Sequence, residues 1–194
     1  MKTTLTMLLV VILITSCKNQ EHKKDEHNHQ EIETIKEDTS KKKPLSPHTS
    51  AMAMVGDAHI HIDYSSPGVR DRIIFGGLLA YDQVWQAGAH MATWIETNKD
   101  IQIEGKTLPA GKYGFFTIPS KDEWTIIFNS NWDQHGKDEY DEKDDVIRFK
   151  VQPVISDEIK EHLEYKVNNI NDDEGSISLA WEKVKIEFPF TIKK

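Results

Sequence analysis

The stretch AHIHIDY, Ala58 to Tyr64, sets His59, His61 and Asp63 at alternate positions. On a strand, alternate residues share a face and stand about 7 Å apart. Imidazole nitrogens suit both zinc and copper, so a His-x-His pair on a strand can give two ligands to one ion. A third ligand has to come from elsewhere. The chain offers His48 in SPH, His90 in GAH and His135 in NWDQH, with Asp133 close by. The metal candidates are therefore His48, His90 and His135, with His59 and His61 as alternates. The plainer reading of the strand is a solvated face, because Ile60, Ile62 and Tyr64 then point inward.

A second constellation suits an organic ligand. Trp85, His90, Trp132 and His135 combine two rings with polar tips, and Arg70 or Arg72 would contact an anion. Most other large rings, such as Trp94, Trp124, Trp181, Phe115, Phe128 and Phe149, read as core. The run KDEYDEKDDV, residues 137–146, lacks the spacing of a calcium loop and reads as a solvated acidic loop. Neither a G-x-S-x-G elbow, a phosphate loop, a C-x-x-C nor an H-E-x-x-H is present. Ser65 and Ser66 follow the histidine strand, but a Ser near a His is common and does not by itself point to nucleophilic catalysis. No catalytic residue is assigned, and an enzyme of unidentified reaction class stands as the last alternative.

The elements that position these residues follow from patterning. The chain opens MKTTLTMLLVVILITSC, with Lys2 before the apolar run Leu5 to Ile14. Ten residues fall short of the ~20 needed to span a bilayer, so residues 1–16 read as a signal peptide. ITSC matches a bacterial lipobox: an aliphatic residue, two small ones, then the cysteine that takes the lipid. Cys17 is the only cysteine, so no intramolecular disulfide supports the fold. The expectation is a protein of the bacterial cell envelope, held through lipid on Cys17 at a membrane's periplasmic face or at the cell surface. Two or more acyl chains anchor stably, at roughly 0.8 kcal/mol per buried methylene.

Residues 17–46 form a charged linker that cannot bury enough surface to order itself. The linker contains His22, His27 and His29, a tract that reads as a solvated spacer rather than a metal site. Net charge is −8 overall. Residues 47–194 alone hold 16 basic and 25 acidic side chains, net −9, which argues against nucleic acid as a partner. Partners are instead the membrane through the lipid, and a small ligand or an envelope protein.

From Pro47 onward the pattern is short, alternating and β-branched or aromatic, with Gly, Pro, Asn and Asp between segments. About nine short strands predict an all-β domain over residues 47–194, an antiparallel β-sandwich. IEGKTLPAGKY reads as a hairpin turning at Gly105, Pro109 and Gly111. GLLAYDQVW reads as a short helix, and SDEIKEHLEY allows a helical turn, giving one or two short helices.

Four stretches carry a family resemblance: YSSPGVRDRIIFGGLLAYDQVWQAGAHMAT, LPAGKYGFFTIPSKDEWTIIFN, NWDQHGKDEYDE and AWEKVKIEFPF. Together they resemble the bacterial family called domain of unknown function 2911, over about Pro47 to Ile192. Such a resemblance implies an exported protein or lipoprotein of Bacteroidetes or related bacteria, and no reaction. It implies that Arg70 and Arg72 fill the basic positions before the IFGGL stretch. Trp85, Gly88 and Ala89 match its W-x-x-G-A motif, where Gln86 stands in place of a common Arg and His90 in place of a common Asn. It also implies that His90 and His135 belong together, and it gives no such support to His59 and His61. The functional expectation therefore goes to the Gly88-Ala89-His90 loop.

Overall fold

Alternation sets the strands as it should. In Ala58–Ser65, Ile60 and Ile62 are fully buried and Tyr64 nearly so, while His59, His61 and Asp63 are half-exposed. The computed structural model describes residues 44–193. The signal peptide, Cys17 and the linker histidines lie outside those residues.

In chain order the strands are β1 (His48–Val55), β2 (Ala58–Ser65), β3 (Trp94–Thr97), β4 (Ile101–Ile103), β5 (Lys106–Leu108), β6 (Gly111–Ile118), β7 (Trp124–Asn129), β8 (Asp145–Val151), β9 (Val154–Asn169) and β10 (Glu174–Ile192). They make a six-stranded sheet, β1-β2-β3-β6-β7-β8, and a four-stranded sheet, β5-β4-β10-β9. Every pairing is antiparallel. This is the expected all-β antiparallel sandwich.

Rings from both sheets fill the space between them. Phe188 of β10 meets Phe115, Phe128 and Phe149 of the larger sheet at centroid distances of 6.2, 6.3 and 5.1 Å. Phe75, Trp85, Trp124 and Trp181 form a second group of rings. Edge-to-face and offset contacts of this kind add to the burial itself.

Three readings of the sequence change. GLLAYDQVW is a chain of turns with isolated bridges at Leu79 and Trp85 rather than a helix. SDEIKEHLEY is continuous strand within β9, and the only helical element among the described residues is the 3-10 turn Glu142–Asp144. The hairpin IEGKTL turns through Glu104 and Gly105, both at positive φ (49° and 72°), as a two-residue turn of the primed kind demands. Pro109 and Gly111 instead carry the chain from the small sheet into the large one.

β1 was not among the expected strands. It pairs with β2 along its full length around Gly56 and Asp57. Gly56 lies at φ 53°, and a Cβ there would come within 2.1 Å of the Asp172 carbonyl. Only glycine fits both the turn and that approach.

Candidate functional site

β2 and β3 are neighbours in the sheet, yet residues 66–93 separate them. Antiparallel neighbours are usually joined by about 2–5 residues, and loops beyond about 12–15 tend to be functional. This connection is tied down rather than loose. Val69, Ile74, Phe75, Trp85 and Ala87 are buried. Ser66 Oγ donates to the Leu163 carbonyl at 2.7 Å, and the Val69 amide donates to Glu161 O at 2.7 Å. Trp85 exchanges backbone hydrogen bonds with Thr117 at 2.8 and 2.9 Å.

The same segment holds most of the unusual backbone. Arg70, Asp71, Asp82, Ala87 and His90 all have positive φ, between 51° and 63°. Elsewhere among the described residues only Glu104 and Glu182 do so without being glycine. Such conformations cost of order 1–3 kcal/mol each and persist where surrounding contacts enforce them, typically at binding sites. Ala87 shows the enforcement. Its carbonyl accepts from Thr93 Oγ1 at 3.0 Å and from Tyr165 Oη at 2.6 Å. Burial pushes the Tyr165 phenol well above its usual range, so it stays a donor. Gly88 is required for space: a Cβ there would meet Thr93 Oγ1 at 2.6 Å.

These constraints shape a depression of about 310 Å³ that gathers Arg70, Arg72, Trp85 and His90. Its wall includes the Gln86 and Gly88-Ala89 stretch and Trp181, and among the described residues no Asp or Glu lines it. The two arginines have different duties. Arg72 donates from Nε to the Val69 carbonyl at 3.0 Å and from Nη2 to Gly68 O at 2.6 Å, bracing the turn. The Arg70 side chain is exposed and makes no ion pair among the described residues, while its amide donates to Glu161 Oε1 at 3.0 Å. Trp85 is 4% exposed, its indole N–H donates to Gly88 O at 3.0 Å, and it stacks on Trp181 with centroids 5.7 Å apart. Its contribution is the floor rather than a contact edge. The buried Trp181 indole N–H has no partner among the described residues.

The remaining candidates lie elsewhere. Trp132 belongs to a separate cleft of about 160 Å³ with His48, Asp63, Met91, Trp94 and Asp133. There His48 Nε2 lies 3.1 Å from Asp63 Oδ2, and Lys112 Nζ sits 3.9 and 4.5 Å from the Trp94 and Trp132 rings. Ser65 lines this cleft too and stands opposite His48 in the β1–β2 ladder, with no side-chain hydrogen bond between them among the described residues. His135 is exposed, with Nδ1 3.3 Å from Asp138 Oδ2. The backbones of His90 and His135 do meet: Met91 bridges to His135, and the Gly136 amide donates to His90 O at 2.8 Å.

Among the described residues, no three of His, Cys, Asp or Glu come together in a way that would hold an ion. His48, His90 and His135 are thus not assembled as a ligand set. His59 and His61 are adjacent, with ring centroids 6.1 Å apart. Trp181, which the sequence reads as core, also lines the depression, and Met52 and Met54 lie on β1. The Ala51-Met52-Ala53-Met54 stretch at the middle of β1 carries little β signal in the sequence.

The family model described as a protein of unknown function (DUF2911) matches residues 46–190, and the chain belongs to that family. No curated protein and no solved structure gives a match.

Proposed function

We propose that this chain is an envelope lipoprotein whose sandwich is a non-catalytic binding module for a small anionic ligand. The supporting observation is a charge inversion. The domain's sequence is net −9, yet the depression framed by residues 66–93 presents Arg70, Arg72 and His90 and no carboxylate. A guanidinium with no ion-pair partner among the described residues offers paired donors suited to carboxylate or phosphate oxygens. Arg70 meets the anion, His90 adds a ring donor, and the Trp85–Trp181 stack supplies an apolar floor for the rest of the ligand.

Inorganic phosphate, citrate and glucose 6-phosphate serve as probes in calorimetric titration of the full chain. Arg70→Gln is expected to weaken the tightest of them about tenfold or more, as loss of a charge-assisted hydrogen bond does. Raising salt weakens binding as well. Equal affinity in the variant, or no binding of any probe, would contradict the proposal.

The anchor rests on the ITSC stretch and is tested separately. Cys17→Ala is expected to move the protein from the membrane fraction to the soluble fraction of a bacterial host that processes lipoproteins. Retention of the variant in the membrane fraction would remove the lipid anchor.

A further inference from the structure

The β1–β2 hairpin carries a second set of donors on the opposite face of the sheet from the core. Its register puts Met52 directly across from His61 and Met54 directly across from His59. Directly opposed residues share a face, with Cβ atoms about 4.5–5.5 Å apart. The exposures agree. Met52 and Met54 are 56% and 50% exposed, whereas Ile60 and Ile62 on the other face are fully buried. Two thioethers and two imidazoles therefore form a compact square on solvent-facing sheet.

A methionine pair on a wet strand is costly for solubility and contributes little packing. Its chemistry has a use here. Thioether sulfur and imidazole nitrogen together select Cu(I), a soft ion, over zinc, calcium or magnesium. The histidine rings are suitably spaced: their centroids stand 6.1 Å apart. An ion midway would lie about 3 Å from each centre, close to a 2.0–2.1 Å metal–nitrogen bond plus about 1 Å from ring centre to nitrogen. Two histidines alone are too few to hold an ion firmly, and the thioethers of β1 complete the set. Trp94 closes one side, with its ring 4.9 Å from that of His61, and limits access of water there.

We infer that the β1–β2 hairpin is a Cu(I) site, with Met52, Met54, His59 and His61 as ligands. The site is independent of the anion depression and requires no change in the oxidation state of the ion it takes.

The test is a titration of the full chain, labelled with ¹³C at its methionine methyls, with Ag(I) as a redox-inert stand-in and then with Cu(I) under ascorbate. The Met52 and Met54 methyls are expected to shift together and saturate at one ion per chain, while Met91 stays in place. In competition with a chromophoric Cu(I) chelator, Met52→Leu/Met54→Leu is expected to lose at least about thirty-fold in Cu(I) affinity. The urea midpoint of that variant stays unchanged, because the substitutions conserve volume on an exposed face. His59→Gln/His61→Gln is expected to lose as much. Still methyls at Met52 and Met54 after one equivalent, or full affinity in the methionine variant, would overturn the assignment. That holds whether the ion is then unbound or held by the histidines of the linker.

Discussion

Phe188→Ala lowers the unfolding free energy by about 3–5 kcal/mol, among the largest single losses expected in the domain. Phe188 is 1% exposed, and it is the ring through which β10 meets Phe115, Phe128 and Phe149 of the facing sheet. Alanine leaves a cavity between two sheets that are each held rigid by their own ladders, so the space cannot close. Domains of this size are stable by about 5–15 kcal/mol, and no disulfide limits the unfolded chain. Urea unfolding checks this: the midpoint falls and the slope is unchanged. A loss under about 1 kcal/mol would mean that the two sheets do not depend on this contact.

Asn129→Ala comes next, at about 2–4 kcal/mol near neutral pH. Asn129 is fully buried at the end of β7. Its Nδ2 donates to the Asp141 carbonyl at 3.0 Å and to Asp145 Oδ1 at 2.8 Å, and its Oδ1 accepts from the Asn131 amide at 2.9 Å. Asp145 also accepts from Tyr140 Oη at 3.0 Å. Burial raises the Asp145 carboxyl above its ordinary value, against the hydrogen bonds from Asn129 and Tyr140, which lower it. For an acid whose folded pKa is raised, the folded state prefers the protonated form. Stability linked to Asp145 is therefore present below its unfolded pKa and is lost as pH rises through the folded one. Removing Asn129 raises that pKa further, so the damage is expected to be greater at pH 7 than at pH 4. Equal losses at both pH values would show that Asn129 does not stabilise the charged carboxylate. The same contacts anchor the segment 130–144, so the Trp132 indole signal should broaden in the variant.

Much of the architecture was legible because alternation is a local property. β2, β3, β4, β6, β7 and β8 announce themselves through β-branched or aromatic residues at every second position. β1 does not, since Ala51 and Ala53 occupy the middle of its inward face and only Thr49 and Val55 at its ends are β-branched, while Ser50, Met52 and Met54 stand outward. Its partner still implies it: Met-x-Met and His-x-His stand symmetrically about Gly56-Asp57, and a two-residue turn fixes the register. SISLAWE and VKIEFPF read as two strands because the pattern slips at Trp181 and Glu182. There β10 continues through a bulge, with Glu182 at φ 55°.

The site was legible only in part. Arg70, Arg72, Trp85 and His90 do share one depression, since all come from a single connection that folds against Leu163 and Tyr165 of β9. Trp132 and His135 come from another loop, and nothing in their spacing reveals which side of β3 that loop occupies. The GLLAYDQVW helix failed for a related reason. Its apolar residues serve turns held by long-range contacts, such as the Asp82 amide on Pro119 O at 2.8 Å, which no local periodicity records.

The most direct measurement is the ¹⁵N-indole spectrum of the five tryptophans of the full chain during addition of phosphate, citrate and glucose 6-phosphate. An anion held by Arg70 over the Trp85–Trp181 stack shifts those two signals, leaves Trp94 and Trp132 in place, and loses the effect in Arg70→Gln. Movement of Trp94 and Trp132 alone, or five unmoved signals with all three probes, would place ligand binding away from this depression.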